Sequence, residues 1–215
     1  MSEEAEAEAA LAPFAFVDAA AKARLVRFAA LLRRWQATHN LVSRSSLDEL
    51  WSRHIVDSVQ LVPLAPPFRH WVDIGSGGGF PGLVVAIVLA ERPGHWFTLV
   101  EANQKKSAFL RAAIRETGAH AEVASERIET HSARMAGQAD IVSARALAPF
   151  AELARLAFPY LSEEGVLLML KGQEFEREER EASRHWSYAL DVTPSRTDPA
   201  GRIVAVRRLR PRTEA

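Results

Sequence analysis

Short apolar runs alternate with longer amphipathic segments through the middle and end of the chain. Five such runs predict β-strands, near residues 71–75, 95–101, 121–124, 140–144 and 166–170. Apolar residues spaced three and four apart lie between the runs, for example in 104–117, and indicate helices. Two later runs, 186–192 and 202–209, predict an antiparallel pair at the sheet edge. This alternation is typical of an α/β fold, and we predict a doubly wound sheet of about seven strands.

The part of the chain before the first predicted strand has a helical pattern. One apolar stripe predicts an amphipathic helix that begins near Asp18, and it consists of Leu25, Phe28, Leu32 and Trp35. Ser46-Leu47-Asp48-Glu49 has the form of a capping box, so we expect a second helix to begin there and to end at Pro63. That helix would carry His54 and Ser58 on its apolar face.

The chain opens with an acidic stretch, residues 1–12, which we expect to form a frayed arm. We therefore predict an acidic arm and helical extension over 1–67 and a main domain over 68–215. The first ten residues contain no Lys or Arg, unlike a secretory signal, and no apolar run approaches the roughly 18 residues of a membrane span. The chain has no cysteine, which excludes thiolate metal sites and cysteine nucleophiles. We expect a cytoplasmic protein.

A glycine-dense turn follows the first predicted strand. From Asp73 to Gly79 it has the form Asp-x-Gly-x-Gly-x-Gly, with Gly75 and Gly77 at its centre. Such a turn lets backbone N–H groups and a helix N-terminus approach a ligand closely. The third glycine of a dinucleotide fingerprint would fall at Phe80, and the lysine of a phosphate-binding loop would fall on a leucine. The turn instead resembles the first motif of S-adenosylmethionine (SAM)-dependent methyltransferases, whose ligand has no phosphate.

A second feature supports a cofactor site at this turn. Glu101 ends the next apolar run, 22 residues after Gly79. An acidic residue at the tip of the second strand can accept hydrogen bonds from ribose hydroxyls. The alternative is a glycine-rich connection that binds nothing.

Several further segments, in this order, carry a more specific resemblance: Asn40-Leu41-Val42, Arg53-His54-Ile55-Val56-Asp57-Ser58, Asp73 to Gly82, Ser143-Ala144-Arg145-Ala146 and Lys171-Gly172. Together they resemble the GidB/RsmG family, the 16S rRNA (guanine-N7) methyltransferases. The resemblance runs from about residue 25 to 172, some two-thirds of the chain.

The resemblance implies a set of SAM contacts. With the glycine motif and the acid after strand two, the expected cofactor-binding residues are Asp73, Gly75, Gly77, Gly79, Phe80, Glu101, Ile128, Glu129 and Arg145. It also makes His54, Asp57 and Arg145 candidates for the cleft. Without it, His54 reads as a buried histidine bonded to Ser58 or a carbonyl, and Arg145 as a surface arginine at a strand end.

Guanine N7 carries an in-plane lone pair and loses no proton on methylation, so the family chemistry needs no general base. We expect no catalytic residue in the acid–base sense, and catalysis by positioning the reactants in line. The implied partner is 16S rRNA or the small ribosomal subunit; we expect a monomer without a metal site. The alternatives are a methyltransferase for another RNA, a protein or a small molecule, and a non-catalytic NAD- or RNA-binding module.

The charge of the chain is zero overall but unevenly distributed. Residues 19–56 contain seven Lys or Arg against two acidic residues. We expect this segment to contribute a phosphate-binding face, in which Arg33, Arg34, Arg44 and Arg53 are the candidates.

Overall fold

The computed structural model describes residues 2–212, apart from the side chains of Arg44 and Ser45. Its strands are β1 His70–Ile74, β2 Trp96–Val100, β3 Ala121–Ala124, β4 Ala139–Arg145, β5 Leu161–Lys171, β6 Trp186–Pro194 and β7 Arg202–Pro211. They form one seven-stranded sheet in the order β3-β2-β1-β4-β5-β7-β6. Strands β1 to β5 are parallel, and β7 lies antiparallel between β5 and β6. The predicted α/β fold, strand count and antiparallel pair are confirmed.

Helices cover both faces of this sheet. They are α1 Glu3–Leu11, α2 Ala19–Gln36, α3 Arg44–Leu47, a π-helix Leu50–Val56, α4 Asp57–Val59, a 3₁₀ turn Val62–Leu64, α5 Gly82–Val88, α6 Gln104–Thr117, α7 Ile128–Arg134, α8 Phe150–Ala157 and α9 Phe175–His185. Helices α1, α2, α5 and α6 and the π-helix pack on one face, and α8 and α9 on the other. No helix within residues 2–212 has the length and apolarity needed to cross a membrane.

Side chains of the central strands alternate between these two layers, as the pleat of a strand requires. In β1, Trp71 packs into the layer of α2 and α5, whereas Val72 and Ile74 pack into the layer of α8. All three side chains are almost fully buried. Burial on both faces explains why these strands read as continuous apolar runs in the sequence.

The expectation of a frayed N-terminal arm is wrong. The side chain of Ser2 caps α1, and Ala7 and Leu11 are only 2% and 1% exposed. Glu3 accepts hydrogen bonds from Trp51 Nε1 at 2.6 Å and from Arg33 Nε at 3.0 Å. Two apolar side chains spaced four residues apart and the acidic residues of α1, Glu3 among them, therefore hold this segment against the rest of the protein, although its composition is typical of disorder. Side chains of this segment pack into the same core as β1 and α5. The domain division at residue 67 stays a prediction.

The expected capping box is also wrong. Ser46 lies inside α3, and its hydroxyl donates to the carbonyl of Ser43 at 3.0 Å. Glu49 precedes a π-helix, and the single helix expected from Ser46 onward is broken into short pieces. The apolar spacing still identifies the buried side chains, among them Trp51. It specifies which face is buried but not the hydrogen-bond pattern of the turns.

The glycine loop is fastened to the tip of β2. The backbone N–H groups of Gly75 and Ser76 both donate to the carbonyl of Val100, at 2.9 and 3.1 Å. Gly75 and Gly77 have φ values of +68° and +53°, which L-residues with a side chain rarely adopt. The loop therefore needs glycine at these two positions to turn from β1 into α5.

Asp73 lies buried beneath this loop in a chain of hydrogen bonds. Trp71 Nε1 donates to Ser143 Oγ at 2.8 Å, and that hydroxyl donates to Asp73 Oδ1 at 2.5 Å. Burial raises the pKa of Asp73 from 3.8 to about 6, although the hydrogen bond from Ser143 opposes the rise. A Cβ atom at Gly82 would lie 2.4 Å from Asp73 Cβ. The start of α5 thus rests directly on this carboxylate.

Replacing Gly82 by Ala should destabilise the fold. The new methyl group would overlap Asp73 in a fully packed region, and relieving such overlap costs roughly 1–3 kcal/mol. Gly172→Ala is the matched control, because a Cβ atom there meets nothing within 4 Å. Urea denaturation of both variants measures the effect; equal stability of Gly82→Ala and Gly172→Ala would contradict the packing.

Replacing Asp73 by Asn should change how stability depends on pH. In the wild type, the folded-state pKa of about 6 exceeds the ordinary 3.8. Between these values the folded protein binds more protons than the unfolded chain, so stability is lost as pH rises. The unfolding free energy of Asp73→Asn relative to wild type should therefore increase from pH 4 to pH 6.5, by up to about 3 kcal/mol. Denaturation at several pH values tests this, and a constant difference would contradict it.

Candidate functional site

Three neighbouring cavities open at the carboxyl edge of the parallel strands. We call them the β2-side cavity (about 410 Å³), the central cavity (about 540 Å³) and the β5-side cavity (about 450 Å³). Arg145 and Ala146, at the end of β4, line all three. Sheets of this kind bind ligands at this edge, near the point where the strand order reverses, here between β1 and β4.

The β2-side cavity collects most of the residues that the sequence predicted: Gly75, Gly77, Glu101, Ile128, Glu129 and Arg145 line it. Glu101 Oε2 accepts from Gly77 N at 2.9 Å, and Oε1 accepts from Asn103 N at 2.7 Å. Each carboxylate oxygen keeps a free lone pair for a further donor. A Cβ atom at Gly77 would find no atom nearer than 3.7 Å, so the loop leaves open space here.

A cluster of three side chains forms the wall of the central cavity. Arg145 lies over the ring of Phe80, with its guanidinium carbon 5.0 Å from the ring centroid. The imidazole of His54 packs on the same ring at 4.9 Å. Arg145 also donates to His54 Nδ1 at 2.5 Å and to the carbonyl of Arg53 at 2.8 Å. The π-helix, the glycine loop and β4 therefore meet at one guanidinium.

The electrostatics of this cluster keep His54 neutral. Burial, with the charges of Arg145 and Arg53, lowers the pKa of His54 from 6.5 to about 3. Nδ1 accepts the bond from Arg145, so the proton of the neutral ring sits on Nε2. That nitrogen is buried without a hydrogen-bond partner in the described structure. His54 is thus a hydrogen-bond acceptor that orients Arg145. Ser58 Oγ donates to the backbone carbonyl of His54 and not to the imidazole.

Arg145 remains charged in this surrounding. Burial lowers its pKa to about 10, while the carboxylates of Asp57 and Asp73 oppose the decrease. A pKa of about 10 leaves the guanidinium protonated at neutral pH. Arg145 is therefore a positioned cation at the end of β4, at the junction of the three cavities.

Asp57 joins the N-terminal segment to the loop between β6 and β7. Its Oδ1 accepts from Ser195 Oγ at 3.3 Å, from Gln60 Nε2 at 3.3 Å and from Thr197 Oγ1. Burial raises the pKa of Asp57, and the bond from Thr197 and the charge of Arg145 oppose the rise. Asp57 lines both the central and the β5-side cavities.

Three of the predicted cofactor residues, Asp73, Gly79 and Phe80, do not line the β2-side cavity. Asp73 and Gly79 line none of the three cavities: Asp73 is fully buried, and a Cβ atom at Gly79 would meet Leu83 and Phe28 inside the protein. These two residues support the loop from its buried side and are not exposed to a ligand in the cavities. Phe80 lines the central cavity only.

Several residues of the cleft were not among the predicted site residues. Leu147 lies against the loop, since a Cβ atom at Gly75 would come within 2.8 Å of its side chain. Lys106 lines two cavities, and Asp198 reaches the central and β5-side cavities from the β6–β7 loop. Position along the chain could have pointed to Lys106, which follows β2 closely. No sequence pattern around Asp198 indicates a binding site, because its neighbours predict only a turn.

The basic segment 19–56 does not form one free face. Carboxylates pair with four of its cations: Lys22 with Glu8, Arg24 with Glu91, Arg33 with Glu3 and Glu6, and Arg53 with Glu49. Arg33 is therefore occupied within the protein. Arg34 is exposed, and the side chain of Arg44 lies outside the described residues. In the described part of the chain, no group of three His, Cys, Asp or Glu side chains is placed to hold a metal ion.

Solved structures share this fold. A methyltransferase from Geobacter sulfurreducens aligns with a TM-score of 0.56 and 11% identity, covering 84% of this chain and 87% of that one. A 16S rRNA methyltransferase of T. thermophilus, solved in complex with AdoMet and guanosine, aligns with a TM-score of 0.51 and 16% identity, covering 73% of this chain and 39% of that one. At these identities the likeness shows the fold alone.

Proteins found by sequence similarity share a much higher identity with this chain. The chain is 50% identical over 187 residues to the ribosomal RNA small subunit methyltransferase G of Parvibaculum lavamentivorans, which covers 86% of this chain and 82% of that protein. Residues 21–197 match the family described as GidB, rRNA small subunit methyltransferase G. The resemblance seen in the sequence motifs is confirmed, and this chain belongs to the GidB family of rRNA small subunit methyltransferases.

Proposed function

We propose that this protein transfers a methyl group from SAM to N7 of a guanine in 16S rRNA. One observation carries the proposal: in a chain of this family, the glycine loop is tied to Glu101 at the carboxyl edge of the sheet, beside an open cavity. The substrate is the rRNA or the small subunit that contains it. We further propose that the protein acts in the cytoplasm as a monomer without a metal ion.

The residues of the β2-side cavity fit SAM. Glu101 offers carboxylate oxygens to the ribose hydroxyls, and the open face of Gly77 admits close approach of the ligand. Ile128 offers an apolar surface to the adenine, with Glu129 or its backbone at the adenine edge. Arg145, charged and held over Phe80, suits the methionine carboxylate.

The cofactor supplies an electrophilic methyl group on a sulfonium. The chain's own residues bind and orient the reactants, because guanine N7 needs no base to remove a proton. The purine gains positive charge on methylation, so a cation placed beside its ring would oppose the reaction. Arg145 is therefore assigned to binding, and neutral His54 to holding Arg145 in place.

The second candidate is methyl transfer to another RNA, a protein or a small molecule. The same cofactor site would serve each of these, so the substrate separates them. The decisive experiment is transfer of labelled methyl from SAM to 16S rRNA or the small subunit, followed by mapping of the modified base. Titration calorimetry with SAM, its demethylated product and NAD excludes or supports an NAD-binding role independently.

The RNA contacts of this proposal come from cations at the cleft. Arg53 lines the central cavity, Lys106 the central and β2-side cavities, and Arg127 the β2-side cavity. Arg127 is exposed and has no carboxylate partner within the described residues. These side chains surround the cleft into which an unstacked base would enter. Arg53 thus stays a phosphate-binding candidate, and Lys106 and Arg127 take the place of Arg33.

Glu101→Gln should weaken SAM binding. The amide has a single acceptor oxygen, so it cannot accept from both Gly77 N and Asn103 N. It also loses the charge that strengthens bonds from ribose hydroxyls, which is worth roughly 1.5–3 kcal/mol, or about tenfold to a hundredfold in affinity. Glu116→Gln, at an exposed position of α6, is the matched control. Calorimetry with a folded variant tests this, and unchanged affinity would place the ribose elsewhere.

Replacing Arg53 and Arg127 together by Gln should weaken rRNA binding. Each lost phosphate contact reduces counterion release, so the slope of log affinity against log salt should flatten by about one unit per contact. SAM is a small ligand without the counterion atmosphere of a polyanion, so the salt slope of its binding should stay the same. The control is Arg92→Gln, an exposed cation just before β2, at the opposite edge of the sheet. Binding at several salt concentrations measures the slope; equal slopes for both variants would exclude this face.

A further inference from the structure

The β5-side cavity is not used by the cofactor assignment. It begins at Arg145 and extends away from Glu101 toward the end of β5. Leu147, Pro149 and Leu170 give it apolar walls. Its charged lining consists of the carboxylates of Asp57, Glu178 and Asp198 and the cations of Arg145, Lys171 and Arg202, of which Lys171 pairs with Glu178. Apolar surface beside precisely placed polar groups is the usual lining of a site for a flat organic ring. An extruded base is such a ring, and enzymes read it by stacking and by bonds to its edge.

The carboxylate of Asp57 is oriented in this cavity by three neighbouring side chains. All its described hydrogen bonds converge on Oδ1, from Gln60 on one side and from Ser195 and Thr197 on the other. Oδ2 has no hydrogen-bond partner among the described residues, and it is not fully buried. The carboxylate is thus held by one oxygen, and it presents the other to the cleft.

The hydrogen-bonding groups of guanine determine which acceptors and donors its binding pocket needs. N7 and O6 lie on one edge of the ring, and the donors N1–H and N2–H₂ lie on the Watson–Crick edge. When N7 faces the methyl donor, the donor-rich edge points away from it and needs an acceptor. Adenine presents an acceptor, N1, at the corresponding position, which a carboxylate would repel.

We propose that Asp57 is the specificity-determining residue that reads the Watson–Crick edge of the target guanine in the cleft, through its free carboxylate oxygen. This inference rests on the proposed function, since it assigns the base pocket of that reaction. Asp198 lines the same cavities, but its carboxylate accepts only from Ala200 N among the described residues, and no described side chain orients it. Asp57 lies three residues after His54. One segment therefore supplies both the side chain that orients Arg145 and the side chain that reads the base.

The test compares guanosine with inosine at the mapped target position of the rRNA substrate. Inosine keeps N7, O6 and N1–H but lacks the 2-amino group. The wild-type kcat/KM should fall about tenfold or more with inosine, because one of two carboxylate bonds is lost. Asp57→Asn keeps an oxygen for Ser195 and Thr197 but offers an amide in place of a free carboxylate oxygen. It should lose at least tenfold with guanosine and treat both bases alike, with unchanged SAM affinity and melting temperature.

Matched variants separate a base reader from a general effect of charge. Asp191→Asn, an exposed site on β6, should keep the wild-type rate and preference, and Asp198→Asn should keep the preference. If wild type methylates both bases equally, or Asp57→Asn keeps the preference, or only Asp198→Asn loses it, the inference is overturned while the proposed function stands. If wild type transfers no methyl to rRNA in any form, the proposed function itself fails. The wild-type comparison requires no folded variant.

Discussion

The glycine loop is held at fixed points on two neighbouring strands, and the cleft depends on this attachment. From below, Asp73 supports the first turn of α5 and is bonded to Ser143 on β4. From the side, Val100 accepts from two loop amides, and Glu101 accepts from Gly77. The carboxyl ends of β1, β2 and β4 are thereby locked together, so a ligand meets a surface whose shape is set before it arrives. Such preorganisation is what a reaction driven by positioning requires.

The N-terminal segment is a wall of the same cleft. The π-helix supplies His54 and the carbonyl that hold Arg145, and Asp57 reaches the β6–β7 loop. Helix α1 in turn bonds Trp51 at the start of the π-helix through Glu3. Because π-turns are rare and concentrate at functional sites, the irregular winding here is consistent with the placement of cleft residues. The segment that reads as an appendage in the sequence closes the site on the side opposite β2.

Local patterns predicted the parts of this structure that depend on local physics. Strand alternation, the asparagine-capped helix α6 and the glycine turn follow from neighbouring residues, and Glu101 follows from the geometry of parallel strands. The failures depend on partners far along the chain. Glu3 is anchored by Trp51, and Asp57 meets Thr197, 140 residues away. Lys171 at the end of β5 likewise pairs with Glu178 on α9, and both side chains are largely buried. No spacing rule encodes such contacts, since only the completed sheet brings them together.

The charges around Arg145 account for how one cleft accommodates a cationic reaction. Asp57 and Asp73 both favour the charged guanidinium, while burial opposes it, so a cation is retained with carboxylates nearby. His54 adds no charge, because its pKa of about 3 keeps it neutral. Methyl transfer from a sulfonium to N7 moves a positive charge from the donor to the purine without creating one. A cleft in which the cation of Arg145 is balanced by carboxylates does not penalise that movement, whereas a protonated His54 beside Arg145 would. The low pKa of His54 is thus as important to the site as the charge of Arg145.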